Sequence, residues 1–208
     1  MALAVIVVTG TAVRLTASGL GCSDWPTCEE GQLIADFSLH PMIEFFNRVF
    51  TGFVAVAVIV AVLASLFRKP RRRDLTLLSW GLVAGVIGQI ALGAVTVLTH
   101  LDPWVVMSHF LLSMILVANA TVLHARAGYD PVPPERAGRW YRWPITLLTT
   151  AAITAGTLVT GSGPHAGSED GDPIERMPFD VPNVARIHGG IVIALILIVM
   201  LDTTVWQG

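Results

Sequence analysis

Apolar residues along this chain gather into six segments that are separated by polar loops. Four segments are long enough to span a bilayer, which takes about 20 residues, whereas the first and the fifth are shorter. None shows the period-two alternation of a membrane β-strand, and only helices and closed barrels satisfy their backbone hydrogen bonds in lipid. The pattern predicts an all-α membrane protein, a polytopic helical bundle with six visible spans. The segments run over 1–13, 42–67, 75–98, 104–124, 144–161 and 184–206.

Composition agrees with a membrane setting. Of the 208 residues, 53% are hydrophobic and 13% are charged, whereas soluble domains carry about 25% charged residues. The formal net charge is −2, so the chain has no basic field and we expect no nucleic acid partner. The first residues lack the basic region and the cleavage site of a signal peptide.

The loops differ in charge, and the difference predicts the orientation. Nine of the thirteen lysines and arginines lie in two loops, at 68–73 and 126–142. Because cytoplasmic loops of membrane proteins are enriched in these residues, we expect both basic loops to face the cytoplasm. The loops at 14–41, 99–103 and 162–183 then face the outside.

The only two cysteines, Cys22 and Cys28, lie in the first outer loop with five residues between them. A metal site, a redox-active thiol pair and a structural disulfide all fit such a spacing. On the oxidising side of a membrane a disulfide is favoured, and a thiol pair that cycles between oxidation states stays open. Zinc is disfavoured because no second pair of ligands is nearby in the sequence.

Four ionisable side chains lie within the predicted spans, where charge is costly and usually functional. They are Glu44 and Arg48 in the second span, His109 in the fourth and His188 in the sixth. At about 1.5 Å per helical residue, all four should lie at roughly 4–9 Å below the outer surface. The alternatives are an ion pair between Glu44 and Arg48, at i and i+4, and a packing role for His109.

The residues after His188 favour a bound group. Gly189 and Gly190 leave room against the helix backbone for something flat and bulky. A planar macrocycle between helices, with an imidazole on its iron, fits such a place.

A faint internal repeat relates the beginning of the chain to its end. Residues 9–21 resemble residues 155–167, which pairs Gly10 with Gly156. The helix that follows each stretch opens with polar residues, and there Asn47 pairs with His188. Spans one and two thus correspond to spans five and six, and sites in repeat membrane proteins often lie near the repeat interface.

Five stretches carry a family pattern: "TGTAVRLTASGLGCSDWPTC" (9–28), "IEFFNRV" (43–49), "PWVVMSHFLLSM" (103–114), "TGSGPHAG" (160–167) and "VARIHGG" (184–190). Through them the chain resembles the haem A synthase family in its actinobacterial-type form. The resemblance implies an enzyme of the plasma membrane that oxidises a ring methyl of haem O to a formyl group, giving haem A for cytochrome oxidase. It also implies eight spans in two four-helix halves, one for the substrate haem and one for a haem b.

On this resemblance, residues 1–143 form the substrate half, and residues 144–208 form the first two helices of the cofactor half, whose last two helices are missing. The implied partners are haem O, haem b, haem O synthase, oxidase assembly factors, an electron donor, the lipid bilayer and a second copy of the chain.

The family's site residues carry over by position. The resemblance makes Glu44 the catalytic carboxylate, His109 and His188 the haem-iron ligands, and Cys22 and Cys28 a disulfide pair. We further expect at least one of the two outer arginines to contact a haem propionate, because arginine binds carboxylates bidentately; these are Arg14 and Arg48.

Asn47 departs from the family pattern, in which many members carry a histidine at this position. An asparagine does not ligate iron as an imidazole does, so the first half would bind its haem through one histidine, with an open or water-bound face. The main alternative function is a b-type cytochrome that only passes electrons, and Asn47 argues against it because that role needs two axial histidines. A second alternative is a structural subunit that takes part in oxidase assembly and catalyses no reaction. Such a subunit would not need Glu44 near a haem.

Overall fold

The computed structural model describes residues 1–28, 32, 34–128, 142–164, 167–168 and 174–205. Across these ranges the ordered elements are six α-helices. Five are long and apolar enough to cross a membrane, and α1 is apolar but shorter, so the predicted all-α, polytopic membrane fold is confirmed. Most of the second basic loop, residues 129–141, lies outside the described residues. The helices are α1 (Ala2–Leu15), α2 (Leu39–Phe67), α3 (Arg73–Leu98), α4 (Pro103–Gly128), α5 (Arg142–Ser162) and α6 (Val181–Val205).

The chain divides into two compact units. The first comprises Met1–Pro131 with His165–Glu175, and the second comprises Val132–Pro164 with Arg176–Gly208. In the first unit each of α1 to α4 packs against two others, in the closed order α1–α2–α3–α4. This order places α2 and α4 at opposite corners of a four-helix bundle.

Small residues let α3 and α4 approach closely, as is common where helices meet in a membrane. Gly85 faces Leu116, and a Cβ atom at this glycine would lie 2.3 Å from Leu116 Cδ2. Gly81 faces Asn119 in the same way, with 2.9 Å between such a Cβ and Asn119 Nδ2. The close approach explains why the apolar third span carries several glycines on one face.

Away from the cysteine loop, the first unit is closed by packed aliphatic side chains. Residues of α1, including Leu3 and Ile6, pack against this cluster. The polar residues Glu44, Asn47 and Arg48 precede the α2 members of this cluster and so lie nearer the end of the bundle that carries the cysteine loop. The buried members are Val54, Val58, Leu82, Val86 and Leu116.

In the second unit α5 packs against α6. The segment before α6 lies over the end of α5, where the backbone N–H of Met177 donates to the Gly161 carbonyl at 3.1 Å. Met177 is 3% exposed, and a Cβ at Gly161 would lie 2.8 Å from its sulfur. A glycine is therefore required at this end of α5.

Candidate functional site

A buried disulfide organises the loop between α1 and α2. Cys22 and Cys28 are bonded, with 1.98 Å between their sulfur atoms, as predicted. The two residues are 0% and 2% exposed, and they pack with Ala35 against Met42 and Phe45 at the start of α2. As a disulfide, the pair offers no thiolate to a metal ion.

Arg48 of α2 holds this loop through its whole guanidinium group. Nη1 donates to the carbonyl oxygens of Asp24, at 2.9 Å, and Thr27, at 3.0 Å. Nη2 donates to the Cys22 carbonyl at 3.2 Å and to Glu44 Oε1 at 2.6 Å, and Nε donates to the same Oε1 at 3.1 Å. All five N–H donors of the arginine thus have acceptors on the loop or on Glu44.

Glu44 completes this arrangement, which we call the loop clamp: Glu44, Arg48 and the loop carbonyls they reach. Glu44 Oε2 accepts the Cys22 backbone N–H at 2.8 Å, while Oε1 pairs with Arg48. The side chain is 7% exposed, so the carboxylate has exchanged water for these partners. The pairing of Glu44 and Arg48 was anticipated as an alternative, but their shared attachment to the disulfide loop was not.

His109 of α4 lies against α3 at a glycine. A Cβ at Gly93 would lie 3.5 Å from His109 Cε1. The Gln89 side-chain amide donates to the His109 carbonyl, at 3.1 Å, and to Ser113 Oγ, at 2.7 Å. Within the described part of the chain, His109 Nδ1 and Gln89 Oε1 are buried without a hydrogen-bond partner. Because unsatisfied buried polar atoms are costly, this region is suited to bind a ligand.

His188 of α6 lies against α5, again at a glycine. Its Nδ1 is 3.1 Å from the Ala152 carbonyl oxygen, and a Cβ at Gly156 would lie 3.2 Å from its Cε1. Since a carbonyl only accepts, Nδ1 carries the proton, and Nε2 keeps a lone pair. A ring held by a backbone carbonyl in this way is typical of metal-ligating histidines.

Asn47 faces α1, unlike its neighbours Glu44 and Arg48. The Thr9 hydroxyl donates to Asn47 Oδ1 at 2.8 Å, and it also lies 3.1 Å from the Ile6 carbonyl oxygen. Glu44, Asn47 and Arg48 are spaced at i, i+3 and i+4 and so share one side of α2. Two of them nevertheless hold the disulfide loop, and the third contacts α1.

Arg14 lies in the last turn of α1, beside Gly167. A Cβ at Gly167 would lie 3.3 Å from Arg14 Cγ, and Gly167 has a φ of +100°, which favours glycine. The Gly167 carbonyl accepts the Gly19 N–H at 2.6 Å. The C-terminal end of α1 is thereby tied to the segment around Gly167, which belongs to the same unit.

Sequence reasoning missed the residues that support the histidines and Asn47. The supporting glycines belong to apolar helices, where a glycine alone carries no functional signal. Thr9, Ala152 and Gln89 contribute contacts that depend on which helices are neighbours, and the chain order does not reveal this.

The comparisons with known proteins bear on this arrangement. The family model of COX15-CtaA, described as cytochrome oxidase assembly protein, matches residues 1–168. The chain belongs to this family. The resemblance drawn from the five sequence stretches is therefore confirmed for the family, and the match includes the loop clamp and His109.

Curated relatives of this COX15-CtaA chain carry the name Heme A synthase. The protein from Lysinibacillus sphaericus is 26% identical over 162 residues, which cover 74% of this chain and 53% of the relative. The protein from Listeria welshimeri is 32% identical over 122 residues, which cover 57% of this chain and 40% of the relative. The chain thus spans about half the length of these relatives or less. No solved structure gives a significant match.

Proposed function

We propose that this chain is a haem A synthase, which oxidises a ring methyl of haem O to a formyl group to supply haem A for cytochrome oxidase. The observation that carries the proposal is the pair of helix histidines, His109 and His188. Each lies against a glycine of the helix beside it, within a chain of the COX15-CtaA family.

The residues present fit haem ligation. Among the described residues, His109 has a buried nitrogen without a hydrogen-bond partner, and its ring lies against Gly93 of α3. His188 has a fixed tautomer that leaves Nε2 as the ligating atom. We assign the substrate haem O to His109 and a haem b cofactor to His188. Haem b supplies one-electron redox chemistry when it is bound.

The other residues orient the substrate. We assign a propionate to Arg14, at the outer end of α1, because the donors of the second candidate, Arg48, already bind the loop and Glu44. Asn47 lines the pocket on the α2 side. The loop clamp holds the disulfide loop at the outer end of the bundle, where it limits the access of water.

Glu44 is our proposed catalytic carboxylate. Oxidation of a methyl group removes hydrogen from the carbon, and a carboxylate held near the reacting edge can accept a proton and stabilise developing positive charge. Its two oxygens already bind Cys22 and Arg48, so the same contacts that anchor the loop would fix the position of the base.

The remaining assignments follow the family. Residues 1–143 form the substrate half and residues 144–208 belong to the cofactor half. The protein lies in the plasma membrane, with the disulfide loop outside and the basic loops in the cytoplasm. Haem O synthase, oxidase assembly factors and an electron donor are the proposed partners, together with a second copy of the chain.

Pigment analysis of the purified chain tests the function. We expect haem b together with haem O or haem A in extracts of the wild type. The His109→Ala variant should lose the O- or A-type haem and keep haem b. Haem b alone in the wild type would favour an electron-transfer cytochrome, and no haem would reject both functions.

The role of Glu44 needs a test that separates catalysis from anchoring. Glu44→Gln should keep bound haem but accumulate haem O or a hydroxylated intermediate, measured per folded molecule in a strain without its own enzyme. Arg48→Lys also weakens the loop clamp but keeps the carboxylate, so it should still form haem A. Asp36→Asn makes the same chemical change at an exposed residue and serves as the control. Equal conversion by Glu44→Gln and the wild type would end the catalytic assignment.

A further inference from the structure

The helix pairs α1–α2 and α5–α6 contain equivalent positions with different chemistry. The internal repeat aligns Thr9 with Ala155, and the same register aligns Ile6 with Ala152. On the second helix of each pair it aligns Asn47 with His188. The structure gives each of these two side chains a contact with the preceding helix, so the two arrangements can be compared atom by atom.

Both side chains approach the preceding helix near equivalent backbone carbonyls, but only His188 bonds to its carbonyl directly. In the second unit His188 Nδ1 donates directly to the Ala152 carbonyl at 3.1 Å. In the first unit the equivalent carbonyl is that of Ile6, and the Thr9 hydroxyl lies between it and Asn47, at 3.1 Å from Ile6 O and 2.8 Å from Asn47 Oδ1. Asn47 therefore occupies the position in the first unit that His188 occupies in the second.

The chemistry at this position differs in one respect. An imidazole held through Nδ1 presents a lone pair on Nε2, whereas the amide nitrogen of asparagine carries two hydrogens and no available lone pair. Because Asn47 Oδ1 is directed to Thr9, the amino group is the remaining polar end of the side chain. Asn47 thus offers hydrogen-bond donors where His188 offers a ligand.

The fold places the Asn47 amino group across the bundle from His109, the proposed haem ligand. Asn47 is on α2 and His109 is on α4, at opposite corners of the first unit. Both lie toward the end of the bundle that carries the cysteine loop, beyond the aliphatic cluster. A group bound by His109 therefore has its other face toward the α2 corner.

We propose that Asn47 donates a hydrogen bond on the face of the first-unit haem opposite His109, which leaves that face open to small ligands. The proposal rests on the haem binding proposed above. The site then has one axial imidazole, and its open position favours ligands that accept a hydrogen bond. Asn47 selects among such ligands, and Thr9 orients Asn47.

Ligand binding to the haem-loaded full chain tests this role without measuring activity. The His188→Ala background confines added iron protoporphyrin IX to the first unit. Fluoride on the ferric haem accepts hydrogen bonds strongly, whereas carbon monoxide on the ferrous haem accepts them poorly. Asn47→Leu should weaken fluoride binding about tenfold or more and leave carbon monoxide binding nearly unchanged.

Two threonine variants separate orientation from packing. Thr9→Val removes the hydroxyl that holds Asn47 and should weaken fluoride binding in the same direction. Thr11→Val makes the same change two residues along α1, where an exposed hydroxyl donates to the Val7 carbonyl of its own helix, and it should have no effect.

Replacing the Asn47 amide by an imidazole tests whether the side chain at this position faces the haem iron. Asn47→His should supply a second axial ligand, convert the haem to a low-spin form in its absorption and electron paramagnetic resonance spectra, and block both fluoride and carbon monoxide. A high-spin spectrum with free ligand access would show that residue 47 does not face the iron, and would overturn the proposal.

The outcomes distinguish this proposal from the function it rests on. If His188→Ala binds no haem, or if adding His109→Ala leaves its haem in place, the proposed first-unit haem site is wrong. If haem binds through His109 and Asn47→Leu keeps the wild-type affinity for fluoride, only the donor role is wrong. Should Asn47→Leu fail to fold, Asn47→Asp keeps the shape and the Thr9 contact but replaces the donor by an acceptor. The proposal requires Asn47→Asp to weaken fluoride binding by at least the factor expected for Asn47→Leu.

Discussion

Arg48 shows how a single side chain can determine the structure of a whole loop. Its five hydrogen bonds reach three loop carbonyls and one carboxylate oxygen. A buried carboxylate and guanidinium stabilise a fold only when their hydrogen-bonding groups are satisfied, and the loop backbone supplies the partners that Glu44 alone does not. The disulfide is consequently enclosed, with both cysteines almost fully buried.

We predict that Arg48→Lys makes the Cys22–Cys28 disulfide much easier to reduce. Lysine has three N–H donors in place of five, and hydrogen bonds to charged groups contribute about 1.5–3 kcal/mol each. A reductant must reach the buried sulfur atoms, so reduction by a water-soluble phosphine should be at least about tenfold faster. Alkylation followed by mass spectrometry gives the rate. Arg71→Lys, at an exposed arginine, is the matched control, and equal rates in both variants would show that other contacts keep the loop closed.

Some of these residue contacts could be predicted from the sequence and others could not. Glu44 and Arg48 are four residues apart on one helix, so their ion pair follows from helix geometry. The cysteine spacing, together with the location that the positive-inside rule predicts for the loop, favoured the disulfide. The contacts of Arg48 with Asp24 and Thr27 depend on the path of an irregular loop. The contact of Thr9 with Asn47 depends on the packing angle of two helices, which local patterns do not encode.

At the scale of helices, the third span shows how glycine replaces hydrophobic contact as the basis of packing in lipid. Lipid tails are as apolar as leucine, so helices gain little from burying one another's apolar side chains. Close approach and van der Waals contact matter instead. Gly85 brings the α3 backbone to within contact distance of Leu116, which is 2% exposed.

We predict that Gly85→Ala destabilises the bundle by about 1–3 kcal/mol, the usual range for overpacking. The new methyl group would lie 2.3 Å from Leu116 Cδ2, so one of the two helices must shift. Gly52→Ala in α2 is the control, because a Cβ there meets nothing within 4 Å and alanine is the better helix former. Thermal unfolding in detergent compares the two variants. A Gly85→Ala melting temperature equal to that of Gly52→Ala would contradict the close packing of α3 and α4.

The helices themselves were largely predictable. The apolar runs placed every helix to within a few residues of its observed bounds, because an apolar run of bilayer length in lipid has to be helical. The differences lie at the ends. The second helix begins at Leu39 instead of residue 42, since His40 and Pro41 form its polar first turn. Hydropathy does not mark such turns.

For the whole molecule, the charge of the loops predicts what helix packing does not, namely the orientation in the membrane. The cations of the basic loop after α2 form two groups, those that contact the end of α4 and those that are exposed to solvent. Arg68 and Arg72 donate to the carbonyls of Ala127 and Arg126 at the end of α4, at 2.9 and 3.0 Å. Lys69, Arg71 and Arg73 are exposed. The first two join helix ends within the first unit, and the other three can act on the charge of the adjacent leaflet.

We predict that this basic loop is cytoplasmic and the disulfide loop is external, as the positive-inside rule requires. The wild-type cysteines are joined in a disulfide, so a single introduced cysteine reports its own location. A membrane-impermeant maleimide should label Ser38→Cys in intact cells, and it should label Lys69→Cys only after permeabilisation. Labelling in the opposite order would invert the topology, and the disulfide loop and the candidate site at its side of the bundle would then face the cytoplasm.

The same labelling experiment separates the two groups of cations. Replacing Lys69, Arg71 and Arg73 together by glutamine, in the Ser38→Cys chain, removes exposed charge and keeps the contacts of Arg68 and Arg72 with α4. If exposed charge sets the orientation, a fraction of the molecules should insert with Ser38→Cys protected in intact cells. If all molecules still expose it, the orientation is set by other charges or by the order in which the helices insert. The three exposed cations would then serve another purpose at the inner surface.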